Sequence, residues 1–168
     1  ADGDWPDNSG AGMFNYKSSL IIKNCTFTLN DAEDGAGIYN STDSTLVLQQ
    51  CIFSQNSADS GGGFYNRASL SAEGCLFDSN TTITYGGGGY NSSGSSSEIT
   101  ASTFYGNESG YGGGMYSWSS EPNVANCIFI DNSSSNYGGG MYSNNATPVV
   151  VNCSFTGNSG TYGGAIYN

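Results

Sequence analysis

Basic residues are the scarcest feature of this sequence. The 168-residue chain has three Lys and Arg against fourteen Asp and Glu, contains no His, and carries a formal net charge of −11. So few cations cannot neutralise nucleic-acid phosphates or an anionic membrane surface, which excludes both as partners. Because His is absent, no Ser or Cys nucleophile can have an imidazole as its base.

Long apolar runs are also missing. No stretch approaches the roughly 20 consecutive apolar residues of a membrane-spanning helix, so we expect no membrane insertion by this segment. No segment repeats its apolar residues with the 3.6-residue period of an amphipathic helix. No secretory leader is visible and the chain begins at Ala1, so we expect a processed protein or an excerpt of a longer one.

What the chain does contain is a glycine-rich motif that closes on an aromatic residue. Two nearly identical copies, Gly-Gly-Gly-Met-Tyr, span residues 112–116 and 138–142. The closing aromatics stand 25 or 26 residues apart and are Phe14, Tyr39, Tyr65, Tyr90, Tyr116, Tyr142 and Tyr167. A period this regular over the whole chain predicts a stacked repeat architecture.

Two further motifs recur in each repeat. Phe-x-x-Asn supplies Phe27, Phe53, Phe77, Phe104, Phe129 and Phe155, together with Asn30, Asn56, Asn80, Asn107, Asn132 and Asn158. A cysteine precedes five of these phenylalanines by two residues, at Cys25, Cys51, Cys75, Cys127 and Cys153. Ser102 takes the remaining place, and Trp5-Pro6-Asp7-Asn8 matches Phe-x-x-Asn as the tail of an incomplete rung.

These motifs predict an all-β parallel β-helix. Short apolar segments precede the cysteines, as at residues 20–22 and 149–151, and are typical of strands bounded by turns. With the glycine-rich and Cys-x-Phe segments they give three short strands per rung, and about 6–7 rungs of roughly 25 residues. We expect residues 1–168 to form a single β-helix domain that is an excerpt of a longer repeat array. The Ser-rich residues 91–98 are expected to form a loop within one rung.

Each repeated residue becomes a column when the rungs stack, and structural roles explain most columns. The Asn side chains can hydrogen-bond one another along the axis, or adopt the left-handed conformation and bond the turn backbone. Glycine allows positive φ or a close approach between rungs, and no Lys-Ser/Thr follows to make a P-loop. The Cys column shares a strand face with the Phe column, so buried thiols are expected rather than disulfides. No cofactor and no metal site is predicted.

The tyrosine column is the main candidate for a binding surface. Neighbouring residues of a strand point to opposite sides, so either this column or the preceding one, Ile38 and its equivalents, faces the core. An outward stripe suited to sugar rings or to another fibre would consist of Tyr39, Tyr65, Tyr90, Tyr116, Tyr142 and Tyr167. The alternative is a packing ladder without a ligand. Further tyrosines widen this face toward the C-terminal half, at Tyr85, Tyr111, Tyr137 and Tyr162.

The sequence contains eight Asn-x-Ser/Thr sequons. Asn80, Asn107 and Asn132 belong to the Asn ladder and are poor glycosylation acceptors if buried. The candidate glycosylation sites lie in turn-like sequence and are Asn40, Asn91 and Asn145.

Acidic residues are scattered rather than paired. The densest groups are Asp31, Glu33 and Asp34 inside the array, and Asp2, Asp4 and Asp7 near the start. Polysaccharide cleavage requires either two facing carboxylates or a carboxylate-bound calcium with a basic residue. A solvated acidic turn is the expected interpretation and a weak calcium site the alternative. We therefore predict that the protein is not an enzyme.

One resemblance rests on residues 155–158 and 163–166. Their alternation of Phe-x-x-Asn with Gly-Gly-Ala-Ile resembles the repeats of the chlamydial polymorphic outer-membrane proteins. Most copies here carry Gly-Gly-Gly rather than the Gly-Gly-Ala of those chlamydial repeats. The chain is also similar to bacterial right-handed β-helix surface proteins with Gly-Gly-Gly-x-Tyr-Asn repeats. The resemblance spans nearly the whole chain and implies a right-handed, single-stranded coil in a secreted or surface-displayed, adhesive protein. It transfers no catalytic residue.

We therefore expect an extracellular, acidic, structural or adhesive β-helix at the cell surface, or a fibre component, without catalytic activity. The alternative is a carbohydrate-binding or polysaccharide-degrading β-helix module. The expected partners are further repeats or other copies joined end to end into a filament, and glycans.

Overall fold

The chain winds into a solenoid of short strands, of which a computed structural model describes residues 8–168. The first rung contains β1 (Met13–Asn15), β2 (Ser19–Lys23), β3 (Thr26–Thr28) and β4 (Asp31–Asp34). The second contains β5 (Ile38–Asn40), β6 (Thr45–Gln49), β7 (Ile52–Ser54) and β8 (Ser57–Ser60). The third contains β9 (Phe64–Asn66), β10 (Ser69–Glu73), β11 (Leu76–Asp78) and β12 (Thr81–Tyr85).

The later rungs repeat this order. The fourth contains β13 (Gly89–Asn91), β14 (Ser96–Thr100), β15 (Thr103–Tyr105) and β16 (Glu108–Tyr111). The fifth contains β17 (Met115–Trp118), β18 (Glu121–Ala125), β19 (Ile128–Ile130) and β20 (Ser133–Tyr137). The sixth contains β21 (Met141–Asn144), β22 (Val149–Val151), β23 (Ser154–Thr156) and β24 (Ser159–Tyr162), and β25 (Ile166–Tyr167) follows.

Equivalent strands of successive rungs pair in parallel and form four sheets. Sheet 1 consists of β1, β5, β9, β13, β17, β21 and β25, and sheet 2 of β2, β6, β10, β14, β18 and β22. Sheet 3 consists of β3, β7, β11, β15, β19 and β23, and sheet 4 of β4, β8, β12, β16, β20 and β24. The prediction of an all-β parallel β-helix is confirmed. Residues 8–168 contain no helix, and therefore none that could cross a membrane.

The prediction of three strands per rung is wrong, because sheet 4 adds a fourth. Its strands lie between the Asn of Phe-x-x-Asn and the glycine run, where the sequence is polar and resembles a turn. Their inward residues are small, such as Ala32 and Ala58, which are 6% and 5% exposed. Large side chains have no room there, since a Cβ on Gly87 would lie 2.6 Å from the carbonyl oxygen of Glu108 in β16. The Ser-rich residues 91–98 are likewise not one loop, because Asn91 ends β13 and β14 begins at Ser96.

The core fills the space enclosed by sheets 1, 2 and 3. Its fully buried members include Ile38, Leu46, Leu48, Phe64, Ile99, Met115, Val124 and Met141. The phenylalanines of sheet 3 stack from Phe27 to Phe155 with successive ring centroids 5.1, 5.1, 4.6, 4.7 and 4.7 Å apart. Phe53, Phe77, Phe104 and Phe129 are 0% exposed, so this stack is the continuous spine of the core.

The glycine run has two separate structural requirements. Gly112 adopts φ +66°, a conformation that side chains disfavour. Gly114 instead allows a close approach of rungs, since a Cβ there would lie 2.5 Å from the carbonyl oxygen of Gly140 and 2.9 Å from the Phe129 ring. The same run therefore turns the chain with its first glycine and stacks rungs with its last.

The left-handed turn residue after each Phe is the residue before the Asn, not the Asn itself. Gln55 has φ 55° and Gly106 has φ 60°, whereas Asn56 and Asn107 do not have positive φ. The expectation of a left-handed Asn is therefore corrected. The turn directs the Asn side chain into the interior, where it bonds its neighbours.

Candidate binding surface

The side chains of sheet 1 alternate between the core and the outside. Ile38 lies in the core cluster, as do Phe64, Met115 and Met141. Tyr39, the next residue, points outward and yet is only 1% exposed. Of the two alternatives that the sequence leaves open, the Ile38 column faces inward. The tyrosine column is on the outside and is covered largely by other tyrosines.

The outward column of sheet 1 is a ladder of rings. Phe14 stacks on Tyr39 with centroids 5.0 Å apart, and Tyr39 on Tyr65 at 5.0 Å. Farther along, successive rings from Tyr65 to Tyr167 lie 4.6, 5.1, 5.1 and 5.4 Å apart and are tilted or edge-on. Such pairs stabilise each other by about 0.5–1.5 kcal/mol beyond their burial.

A second tyrosine column comes from the ends of the sheet 4 strands. Tyr85, Tyr111, Tyr137 and Tyr162 follow one another with centroids 5.5, 5.8 and 5.1 Å apart. They also contact the first column, since Tyr85 stacks on Tyr116 at 4.6 Å. We define the tyrosine face as both columns: Tyr39, Tyr65, Tyr90, Tyr116, Tyr142 and Tyr167 with Tyr85, Tyr111, Tyr137 and Tyr162.

Burial controls the ionisation of this face. It raises the pKa of Tyr65 to about 12, and it also raises the pKa values of Tyr90, Tyr116 and Tyr142. These four phenols therefore remain neutral at physiological pH. They present aromatic area together with uncharged hydroxyl groups.

The N-terminal end of the face is charged instead. In sheet 4, Asp34 occupies the position that Tyr85 takes two rungs later. Burial, followed by the charges of Glu33 and Asp59, raises the pKa of the Asp34 carboxyl to about 6. The Arg67 guanidinium donates a hydrogen bond from Nη1 to Tyr39 Oη at 3.2 Å. The Asp34 carboxyl, the Arg67 guanidinium and the phenols of Tyr39 and Tyr65 are thus grouped here.

The predicted acidic cluster is only partly assembled. Asp31 and Glu33 are exposed on β4, and Asp34 is half-buried at its end. Within residues 8–168, no three His, Cys, Asp or Glu side chains lie close enough together to hold a metal ion. Asp2, Asp4, Trp5 and Asp7 lie outside the described residues.

The asparagines of Phe-x-x-Asn form a continuous interior ladder. From Asn30 to Asn158, each Nδ2 donates to the next Oδ1, at 2.9, 2.9, 3.0, 2.9 and 2.8 Å. Each Oδ1 also accepts a backbone N–H, as when Asn107 N donates to Asn132 Oδ1 at 3.1 Å. Asn80, Asn107 and Asn132 are 0% exposed, so these three sequons offer no accessible side chain.

A second Asn ladder was missed by the sequence reasoning. Asn15, Asn40, Asn66 and Asn91 are buried, and the Nδ2 of each of the first three donates to the next Oδ1 at 2.8, 2.9 and 3.2 Å. The signal was available, because an Asn directly follows the aromatic in these four rungs. Asn40 and Asn91 are 1% exposed, so the interpretation of both as accessible turn residues is wrong. Asn145 is exposed, with φ 51°, and stays a candidate glycosylation site.

All five cysteines are free thiols, and all but Cys25 line the core. Cys51, Cys75 and Cys127 are buried, Cys153 is half-buried and Cys25 is exposed. Burial raises the pKa values of Cys75 and Cys127 to about 11, so both stay protonated and unreactive at neutral pH. In the remaining place the Ser102 hydroxyl accepts a hydrogen bond from Cys75 N at 3.0 Å.

Comparison with known proteins identifies the family. The family described as "Right handed beta helix region" matches residues 9–168, nearly the whole chain. No curated protein and no solved structure matches the chain. The family match agrees with the parallel rungs and with the right-handed coil that the motif resemblance implied. The chain belongs to the right-handed β-helix family.

Proposed function

We propose that this β-helix is a non-catalytic, extracellular surface module whose tyrosine face is an adhesive contact surface. The carrying observation is the two-column tyrosine array itself, outside the core and continuous over the later rungs. Tyrosine is enriched at protein interfaces because its ring provides apolar area while its hydroxyl provides a hydrogen bond. The rigid solenoid holds the rings at fixed spacing, which lowers the entropic cost of binding.

The structural part of the proposal rests on the interior. The Phe stack and the Asn ladder from Asn30 to Asn158 connect every rung to the next, and the ladder from Asn15 to Asn91 adds a second connection in the first four rungs. Neighbouring rungs therefore support one another along the axis. Such a rod can present the tyrosine face along its length. Further repeats, or other copies arranged end to end, are compatible with this role.

Binding of the purified chain to intact cells and to a glycan array tests the proposal. The triple variant Tyr85→Ser, Tyr111→Ser, Tyr137→Ser should lose at least about tenfold in affinity, since each half-buried ring contributes about a kcal/mol. A matched control places changes on sheet 3, with Thr103→Ser and Tyr105→Ser, and should bind as the parent does. Equal binding by the triple variant and the parent would show that the tyrosine face is not the contact surface.

A second candidate, a polysaccharide-degrading module, is favoured by one observation. A general acid requires a carboxyl whose pKa approaches the working pH, and the pKa of Asp34 is raised to about 6. Lyase and hydrolase assays on acidic polysaccharides decide between the two candidates. Turnover that disappears in both Asp34→Ala and Asp34→Asn would establish the enzyme and overturn the non-catalytic proposal.

A further inference from the structure

A small aromatic cavity interrupts the otherwise close packing of the tyrosine face. Its volume is about 220 Å³, and it is lined by Tyr85, Tyr90, Tyr116, Trp118 and Asn144. These residues come from β12, β13, β17 and β21, so four successive rungs build the cavity. Four of the five lining residues are aromatic and none is charged. We call it the aromatic notch.

The walls of the aromatic notch are held in place. Tyr85 stacks on Tyr116 at 4.6 Å with an interplanar angle of 24°, and Tyr90 tilts against Tyr116 at 5.1 Å. Asn144 Nδ2 donates to Tyr116 Oη at 3.2 Å. Trp118 is 42% exposed, and among the described residues its indole has no ring partner. The notch therefore has a fixed floor and one solvent-facing indole at its mouth.

A larger cavity among the described residues differs in chemistry. It has a volume of about 490 Å³ and lies over the turns between sheets 2 and 3, lined by Lys23, Gln49, Glu73 and neighbouring polar residues. Its walls are long, exposed side chains that carry both signs of charge. It has no fixed aromatic wall and offers no defined ligand chemistry. The aromatic notch has both.

The charge distribution selects a cation for the aromatic notch. Residues 68–168 contain six Asp and Glu and no Lys or Arg, so this part of the chain attracts positive ligands. Aromatic faces attract cations through their quadrupole, and aromatic cages bind quaternary ammonium groups. No carboxylate lines the notch, so a strongly hydrated primary ammonium would lose its water without an ionic partner. A quaternary ammonium is weakly hydrated and loses less.

We propose that the aromatic notch binds the trimethylammonium group of a choline-like ligand. The group would lie against the Trp118 indole and the Tyr85 ring, with Tyr90 and Tyr116 as the floor. This deepens the proposed function, on which it rests for its biological role, because it names the chemical class recognised by part of the tyrosine face.

Intrinsic fluorescence of Trp118 gives the direct test. The sequence has two tryptophans, so Trp5→Phe leaves Trp118 as the reporter, and calorimetry on the unaltered chain controls for that change. Titration with tetramethylammonium or choline at constant ionic strength should give saturable binding. The uncharged isostere 3,3-dimethylbutan-1-ol should bind at least about tenfold more weakly, since the cation–π contribution is lost. Equal binding of the isostere, saturation by methyl glucosides instead, or no saturation with tetramethylammonium would each overturn the proposal.

Two variants locate the site. Tyr85→Leu keeps apolar bulk while removing one ring, and should weaken choline binding about tenfold by calorimetry. Tyr105→Leu alters an exposed tyrosine on sheet 3 and should leave binding unchanged. Equal affinities of the two variants, with unchanged circular dichroism, would place the ligand elsewhere.

A further comparison uses choline-bearing polymer and phosphatidylcholine vesicles as immobilised targets. It shows whether the protein binds the trimethylammonium group on a soluble polymer or on a lipid headgroup.

The choline-binding proposal and the proposed adhesive function can be refuted independently of each other. If the cell-binding assay depends on the tyrosine face while choline does not bind, only the notch assignment falls. If choline binds while the triple tyrosine variant retains adhesion through another surface, the notch stands and the adhesive role of the face falls.

Discussion

One position of sheet 4 divides the tyrosine face into two regions. It is Asp34 and Ser60 in the first two rungs, and tyrosine in the four that follow. The N-terminal region groups a half-buried carboxyl with the Arg67 guanidinium, whereas the C-terminal region is neutral and aromatic. The inward phenylalanines of sheet 3 are the same in both regions. The comparison shows that a solenoid can keep one core while its outer surface varies rung by rung, because outward side chains do not have to fill the enclosed space.

The first prediction asks whether the core is indeed common to both regions. Phe53→Ala in the N-terminal region and Phe104→Ala in the C-terminal region should each lower the free energy of unfolding by about 3–5 kcal/mol. Both rings are 0% exposed and stacked on two neighbours. Urea denaturation measures the loss. A near-zero loss in either variant would mean that this column does not face the core.

The second prediction concerns the boundary between the regions. Gly89 takes the core position of Ile38 and Met115, and a Cβ on it would overlap the ring of Phe64 in the preceding rung. Gly89→Met should therefore destabilise the protein by about 1–3 kcal/mol through overpacking.

The matched double variant sharpens this test. Gly89→Met with Phe64→Met recreates the arrangement of Met115 on Met141, and should recover most of the stability measured by urea denaturation. Additive losses from Gly89→Met and Phe64→Met would contradict the size complementarity of this pair.

The third prediction uses the charge of the N-terminal region. The folded-state pKa of Asp34 is raised from 3.8 to about 6, so the folded state binds more protons than the unfolded state between these values. Stability from this group is therefore highest below pH 3.8 and falls as pH rises through about 6. Solvent screening reduces the effect to about 1–2 kcal/mol.

Urea denaturation across this pH range checks the sign. Asp34→Asn should remove the decrease in stability with rising pH. Asp34→Tyr should also remove it, and this variant extends the tyrosine column of the C-terminal region into the N-terminal region. A fall that is unchanged in both variants would assign the pH dependence to other groups.

The smallest effect is expected from a single phenol of the C-terminal region. Tyr116→Phe removes the hydrogen bond from Asn144 and should cost about 0.5–1.5 kcal/mol in the free energy of unfolding. Tyr105→Phe alters a phenol that is 45% exposed on sheet 3 and serves as the control, with a change near zero. Equal effects of the two variants would show that the Asn144 contact does not stabilise this wall of the aromatic notch.

The repeat period made most of the fold predictable. Stacked rungs place residues 25 or 26 apart in one column, so the Phe, Asn and Cys columns could be read from spacing alone. Sheet 4 could not, because its inward positions are small residues such as Ala32 and Ala58. These residues are small because the glycine run lies close to them. That proximity arises only when neighbouring rungs are stacked.

The candidate site was predictable only in outline. The tyrosines were identified, but the same spacing allowed them to face either way, and Trp118 had no repeat to mark it. Asn40 and Asn91 looked like exposed turn residues, yet both lie in an interior amide ladder. The repeat spacing alone does not specify which side of a strand faces the core.

The sequence by itself determined the columns of this protein, since a regular period fixes which residues stack. Only the tertiary structure decided which columns face inward, how the two tyrosine columns meet, and that Tyr85, Tyr116 and Trp118 surround a cavity. The physical reason is that spacing along the chain specifies neighbours along the axis. Contacts across a rung depend instead on where the backbone bends, and that is set by the turns and by the packing of the whole cross-section.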